Sequence, residues 1–71
     1  MQVTYDDITD LLYFRIDPEK QDVRNERIEE DVVLDIGKDE KIVGIEIMNA
    51  KERIKLKELF PIQTLQRPIT R

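Results

Sequence analysis

The sequence predicts an α+β domain in which an antiparallel sheet of four to five short strands is covered by a C-terminal helix and followed by an extended arm. Residues 32–36 and 41–47 alternate apolar and polar side chains, which is typical of strands with one buried face. Residues 37–40 (GKDE) between them have the length and chemistry of a hairpin loop. Asn49 followed by Glu52 is a helix-start pattern. Strands followed by a helix favour the α+β class.

Two strands are predicted near the N-terminus. Residues 2–5 (QVTY) alternate in the manner of a strand, and residues 11–16 (LLYFRI) follow a polar stretch rich in turn formers. A helix competes with the second strand, because apolar residues between 8 and 12 also recur at helical spacing. The aromatic content and the stop at Asp17-Pro18 favour the strand.

The middle of the chain is predicted to complete the sheet as a meander. Residues 17–25 form a loop, and residues 26–30 (ERIEE) form a short strand with Ile28 inward. The hairpin over 32–47 comes next, and Gly37 supplies a positive φ in its loop. Its strands place their aliphatic side chains on one face: Val32, Leu34, Ile36, Val43, Ile45 and Ile47.

The C-terminal part is predicted as a helix from Ala50 to the residue before Pro61. Its apolar residues fall on two opposite sides, so the helix either breaks near 55–57 or buries two faces. The segment 61–71 keeps apolar residues between two prolines, which favours an extended arm that lies on a partner subunit. We therefore divide the chain into a domain, 1–60, and an arm, 61–71. The candidate oligomer interface is Leu56, Leu59, Phe60, Ile62 and Leu65.

The composition predicts self-association. A chain of 71 residues makes one domain, and a core of this size buries only about 60% of the unfolded surface. Small domains usually add disulfides, a structural metal or a partner subunit. The sequence has no Cys and no His, which excludes disulfides and Cys/His zinc sites. A homo-oligomer is expected, with a dimer favoured.

The same composition argues against several functions. Without His, Cys or Ser, the usual nucleophile–base pairs cannot be built, so we expect neither an enzyme nor a cofactor. A net charge of −4 disfavours direct binding to nucleic acid and suits a small basic partner protein. No apolar run is long enough for a membrane span or a signal peptide, so a cytoplasmic location is expected.

Several motifs resemble a known family. Residues 5–16 (YDDITDLLYFRI), 29–47 (EEDVVLDIGKDEKIVGIEI) and 48–54 (MNAKERI) together resemble the YuzE-like family of small prokaryotic domains of unknown function, over roughly residues 1–54. The family commonly has Gly before the strand at 32, where this chain has Glu30-Asp31. The resemblance implies a compact α+β domain and suggests an antitoxin-like role toward a small basic protein. The matching positions are Tyr5, Asp6, Asp10, Leu12, Tyr13, Asp35 and 43–47.

The candidate binding surface comprises Asp10, Tyr13, Asp35, Gly44 and Glu46. Glycine weakens the middle of a strand, so Gly44 indicates a bulge or a close approach, for example by the Tyr13 ring or by a partner backbone. Whether the Asp35 and Glu46 carboxylates share a face depends on the strand register. If they do, like charges would raise one pKa or attract a cation. A solvated face is the simpler interpretation.

Two alternative functions remain open. The first is a metal-dependent carboxylate enzyme or a small-ligand-binding protein that uses Asp6, Asp10, Asp35 and Glu46, since oxygen ligands suit Mg²⁺ and Ca²⁺. The acidic residues lack the order of a calcium-binding loop, and no metal site is assigned. The second is a nucleic-acid contact through a basic C-terminal group, Lys51, Arg53, Lys55 and Lys57, followed by Arg67 and Arg71.

Overall fold

The computed structural model describes residues 1–59 and contains one open, five-stranded antiparallel sheet. Every predicted strand is present, and residues 7–10 form a turn, so the strand interpretation of the following segment is confirmed over the helical one. The strands are β1 (Gln2–Asp6), β2 (Leu11–Arg15), β3 (Arg24–Glu29), β4 (Val32–Ile36) and β5 (Ile42–Met48).

The spatial order of the strands is β1-β2-β5-β4-β3, so the predicted meander is wrong between β2 and β3. The connection 16–23 carries the chain to the far edge, and β5 later fills the gap between β2 and β4. The backbone N–H groups of Ile16 and Asp17 both donate to the Val43 carbonyl, at 2.9 and 3.2 Å, which holds the start of this connection against β5. Alternation in the sequence fixes which side chains share a face, but it does not fix the order of the strands.

The register divides the sheet into an apolar face and a polar face, because directly opposed residues in antiparallel strands point to the same side. The apolar face contains two rows across the strands: Tyr5, Leu12, Ile47 and Val32 in one, and Val3, Phe14, Ile45, Leu34 and Glu26 in the other. The polar face contains Thr4, Tyr13, Glu46, Val33 and Arg27 in one row, and Gln2, Arg15, Gly44, Asp35 and Asn25 in the next.

The strand β3 forms one edge of the sheet, and all six of its residues are exposed. The prediction that Ile28 points inward is wrong, since its side chain is 53% exposed. The register of β3 against β4 shifts between Arg27 and Glu29, and this irregularity removes Ile28 from the regular pairing.

The predicted C-terminal helix begins at Ala50 as expected but is much shorter than predicted. The helix α1 spans Ala50–Arg53, Ile54 is extended with φ −137°, and residues 56–59 are helical again. The chain therefore follows the alternative in which the helix breaks, and the break comes at Ile54. One helical turn cannot cover five strands, so the predicted cover of the sheet is wrong for the described part of the chain.

The predicted arm lies outside the described residues, as do three residues of the candidate oligomer interface, Phe60, Ile62 and Leu65. The other two interface residues, Leu56 and Leu59, are half-buried. Among residues 1–59, no helix has both the length and the apolar character that a membrane crossing requires.

Two predictions about the loops are wrong in their detail. Gly37 has φ −110°, and the left-handed residues of the hairpin loop are Asp39 and Glu40, at φ 55° and 58°. The missing side chain of Gly37 matters here more than its backbone freedom. A Cβ at this position would lie 2.8 Å from Cδ of Gln21 and 3.0 Å from Cγ1 of Val43.

The predicted cap of α1 is the second error. Asn49 is left-handed, with φ 53°, and its side chain makes no cap; its Nδ2 donates instead to Asp31 Oδ1 at 3.1 Å. The carboxylate of Asp10 caps the helix in place of Asn49 and accepts a hydrogen bond from the Lys51 N–H at 3.1 Å. The Asp10 carbonyl also accepts from the Ala50 N–H at 3.1 Å, so the turn before β2 positions the helix.

Candidate functional site

Four of the five candidate binding residues meet at the centre of the polar face. Tyr13 of β2 stands opposite Glu46 of β5, and Gly44 of β5 stands opposite Asp35 of β4. The register therefore answers the question that the sequence left open, since the two carboxylates share a face. Asp10 is not in this group, because it lies in the turn before β2 and contacts α1.

Gly44 allows the side chain of Tyr13 to lie flat across β5. A Cβ at Gly44 would collide with the Tyr13 hydroxyl and would lie 2.7 Å from its Cζ atom. Across this gap the Tyr13 hydroxyl donates to Asp35 Oδ2 at 3.0 Å. Close approach of an aromatic ring is therefore the reason for a glycine in the middle of a central strand. A register shift between Asp35 and Ile36 lies directly beside it.

Asp35 is the centre of the cluster and is only 7% exposed. Its Oδ1 accepts from Asn25 Nδ2 at 2.6 Å, while its Oδ2 accepts from Tyr13. Both oxygens are therefore hydrogen-bonded, as a buried carboxylate requires. The sequence analysis missed Asn25, which has no distinctive pattern around it and becomes visible only through its position opposite Asp35.

Glu46 completes the cluster, and its carboxyl group lies close enough to Asp35 for the two carboxyl groups to interact. A hydrogen bond between two carboxyl groups requires a proton on one of them. Burial raises the pKa of Glu46, the hydrogen bond and the negative charge of Asp35 raise it further, and the Arg27 guanidinium opposes both effects. Glu46 therefore keeps its proton to a higher pH than an ordinary glutamate.

The Tyr13 hydroxyl is held in its donor form by the same surroundings. Burial raises the pKa of Tyr13, and the hydrogen bond to Asp35 and the charge of that carboxylate add to the effect. A hydroxyl that is harder to ionise is a poor general base at neutral pH. This arrangement serves hydrogen bonding better than proton abstraction.

The carboxylates near the N-terminus have separate structural tasks. Asp10 accepts the Tyr5 hydroxyl at 2.7 Å, and this bond is the main reason that the pKa of Tyr5 rises to about 12. Asp6 accepts the Ile8 N–H at 2.9 Å within the turn, and that bond lowers the pKa of its carboxyl. Within residues 1–59, no three His, Cys, Asp or Glu side chains come together in a way that could hold a metal ion.

The basic group after the sheet is spread over the surface. Arg53 Nε donates to Asp31 Oδ2 at 3.1 Å, so the Asp31 carboxylate partly neutralises the positive charge of Arg53. Lys51, Lys55 and Lys57 are exposed around a hollow that Ile54 and Leu56 also line. Among the described residues, no aromatic side chain lines that hollow, so residues 1–59 provide no platform there on which bases could stack.

The comparison with protein families identifies the domain. Residues 2–51 match the family model described as "Protein of unknown function (DUF2283)". The chain belongs to the DUF2283 family. The matched range contains all five strands and the first residues of α1, so it includes the whole sheet and the Tyr13–Asp35–Glu46 cluster. Comparison of this DUF2283 domain with curated proteins and with solved structures gave no match.

Proposed function

We propose that this DUF2283 domain is a non-enzymatic protein-interaction module whose apolar sheet face binds a second copy of the chain. The observation that supports this is the incomplete burial of that face. The row through its centre, Phe14, Ile45 and Leu34, is only partly buried, although these side chains come from the three inner strands. In a completed core such side chains are fully buried.

Within residues 1–59, the covering of this face is confined to one end. Leu12 and Ala50 are completely buried, and they lie where the Asp10 carbonyl receives the Ala50 N–H. The single-turn helix α1 extends no further over the sheet than its four residues allow. Complete burial of a large apolar side chain is worth about 1.5–3 kcal/mol relative to full exposure, so covering the partly buried central row would add a fraction of that for each side chain.

A second copy is the occupant that best fits this face. Sheets pack face to face at a separation of about 10 Å, and two identical flat apolar faces can do so about a two-fold axis. The chain has no disulfide and no Cys/His metal site that could compensate for a small core. Self-association supplies the missing layer without another component.

A small basic protein is the second candidate partner. The net charge of −4 favours it, and the YuzE-like resemblance of residues 1–54 suggests the antitoxin-like form of this role in the cytoplasm. A basic toxin-like protein encoded beside this chain, and a stable complex of the two purified proteins, would support it. The carboxylate enzyme has less support, because Asp6 and Asp10 are engaged in local structure away from Asp35 and Glu46.

Light scattering coupled to gel filtration tests the self-association directly. We expect the full chain to have the mass of an oligomer at micromolar concentration, and Ile45→Lys to lower that mass by removing the face-to-face contact. Ile8→Lys is the matched control, because it makes the same change at a side chain that is 90% exposed in a turn. Circular dichroism verifies that both variants are folded. A monomeric full chain would contradict the proposal.

A further inference from the structure

A proton on Glu46 decides how many negative charges the centre of the polar face carries. Glu46 of β5 and Arg27 of β3 belong to the same row of that face, with Val33 of β4 between them. Asp35 belongs to the next row, two residues along β4 from Val33. Ionisation of Glu46 therefore places a second negative charge beside Asp35 and in line with the positive charge of Arg27.

Asp35 has little freedom to respond to that second charge. Its side chain is buried, and its two oxygens accept hydrogen bonds from Asn25 and Tyr13. A protonated Glu46 can donate to this carboxylate, which has lone pairs beyond the two in use. An ionised Glu46 cannot donate, and like charges on neighbouring strands of one face repel each other. Glu46 is only half-buried, so it is the side chain that can move away.

Arg27 lies where an ionised Glu46 can reach it. Neighbouring strands are about 4.7–4.9 Å apart, so the backbones of β3 and β5 lie about 10 Å apart across β4. Both side chains are long, and they project from the same face on either side of the small, buried Val33. The Arg27 guanidinium already acts on Glu46, since its positive charge opposes the rise in the pKa of that carboxyl.

Arg27 binds a weaker acceptor while Glu46 is protonated. Its guanidinium donates to the carbonyl oxygen of Glu30, three residues later, in the turn between β3 and β4. A guanidinium can bind an ionised carboxylate through two parallel hydrogen bonds, whereas a carbonyl oxygen carries no net charge. The Arg27 side chain is exposed, so it can turn without disturbing the packing of the sheet.

The other charged groups near Glu46 have partners of their own within residues 1–59. Arg15 of β2 lies on the same face, but its Nε donates to a backbone carbonyl at 2.9 Å, and its charge acts on the Tyr13 hydroxyl. That hydroxyl, opposite Glu46, is a neutral donor because its pKa is raised. Asp31, in the β3–β4 turn, forms an ion pair with Arg53 at 3.1 Å.

We propose that Glu46 and Arg27 exchange partners under the control of one proton. While Glu46 is protonated, it stays beside Asp35, and Arg27 holds the Glu30 carbonyl. When Glu46 loses the proton, it turns from Asp35 and forms a salt bridge with Arg27 over Val33. The Glu30 carbonyl is then released, so the proton controls how firmly the β3–β4 turn is held to β3.

The turn that the exchange loosens is joined to the start of α1. The carbonyl of Asp31 accepts the Met48 N–H at 2.8 Å, and its carboxylate binds Asn49 and Arg53. Because the pKa of Glu46 is raised, the exchange occurs at a higher pH than the ionisation of an ordinary glutamate. The exchange takes place on the polar face, so it goes beyond the proposed association of the apolar face and does not depend on it.

Nuclear magnetic resonance spectroscopy of the full chain can follow each partner of the exchange between about pH 4 and 8. We expect three signals to change with one common midpoint: the carboxyl carbon of Glu46, the Nε–H of Arg27 and the carbonyl carbon of Glu30. The Nε–H of Arg15 is an internal reference that should not change with them. A Glu30 carbonyl or an Arg27 signal that stays constant while Glu46 titrates would overturn the proposal. An Arg15 signal that changes in place of the Arg27 signal would overturn it as well.

Two variants with the same Glu to Gln change identify the controlling carboxyl group. Glu46→Gln keeps the size of the side chain but cannot ionise, so the response of Arg27 and of the carbonyl at position 30 should be lost. Glu30→Gln is the matched control, because it removes the carboxylate at position 30 and keeps the backbone carbonyl. There the response should persist with an unchanged midpoint. A response that survives Glu46→Gln, or one that Glu30→Gln abolishes, would refute the exchange.

Discussion

Replacing Gly44 with alanine tests the packing at the centre of the polar face. The added Cβ would lie 2.7 Å from Tyr13 Cζ and 3.0 Å from Cε1, and it would also meet the hydroxyl, so the Tyr13 ring must move. Its hydrogen bond to Asp35 would break, and a carboxylate that is 7% exposed would lose one of its partners. Overpacking costs about 1–3 kcal/mol, and an unsatisfied buried acceptor costs about 1–3 kcal/mol. We expect Gly44→Ala to lower the free energy of unfolding by about 2–4 kcal/mol.

A double-mutant cycle separates the effect of the collision with Tyr13 from the intrinsic difference in stability between glycine and alanine. In a Tyr13→Ala background the new methyl group no longer meets the ring, and alanine is about 0.5–1 kcal/mol better than glycine within a strand. Gly44→Ala should then be neutral or slightly stabilising. The assay is urea unfolding followed by circular dichroism, with all variants at one protein concentration because self-association contributes to stability.

Gly37→Ala serves as a comparison for the loss of stability caused by Gly44→Ala. Its nearest neighbour is the flexible end of the Gln21 side chain, which can move aside at lower cost than a tyrosine ring between strands. An equal loss of stability for Gly44→Ala with and without Tyr13 would refute the reasoning.

Three other predictions concern the hydrogen bonds around the carboxylates. The pKa of Glu46 is raised in the folded state, so its contribution to stability is present below its ordinary pKa and is lost as the pH rises through the folded value. Glu46→Gln should remove that loss, and urea unfolding between about pH 4 and 8 should show a flatter stability profile than that of the wild type. Asn25→Ala should lower the free energy of unfolding by about 1–3 kcal/mol, because the buried Asp35 loses a donor; an unchanged urea midpoint would count against that bond. Asp10→Ala should lower the pKa of Tyr5 from about 12 toward 10, as measured by ultraviolet absorbance in a Tyr13→Phe background.

The sequence predicted the strands well because their alternation is regular. Val43, Ile45 and Ile47 could be assigned to one face without knowing their neighbours, and the register of β5 confirms that Ile45 and Ile47 share a face. Val43 falls at the register shift opposite Asp35 and Ile36 and has no paired residue there. The same alternation could not reveal that β5 lies between β2 and β4, since the order of strands depends on long-range contacts.

The candidate site was predicted in part for a similar reason. Gly44 pointed to a close approach, and Tyr13 was a candidate for the approaching ring, so the two could be connected before the structure was known. Asp35 and Glu46 required the register, and Asn25 required the position of β3 at the far side of the sheet.

The helix was the weakest prediction, because local patterns overstate its regularity. Asn49 and Glu52 have the spacing of a capping box, yet Asn49 is left-handed and turns to Asp31. Asp10, which lies 41 positions before Lys51 in the sequence, supplies the cap by accepting the Lys51 N–H. Such a long-range partner leaves no trace in the sequence around the helix.

The cap that Asp10 provides also sets the direction in which the chain leaves the sheet. Its carbonyl and carboxylate bind the first N–H groups of α1, so the start of everything after Asn49 is anchored to the β1–β2 hairpin rather than to the strand that precedes it. The same carboxylate also accepts the Tyr5 hydroxyl of β1 at 2.7 Å, so one side chain holds the hairpin and the helix together. Removal of the Asp10 carboxylate would therefore loosen β1 and the start of α1 together, although the two are far apart in the sequence.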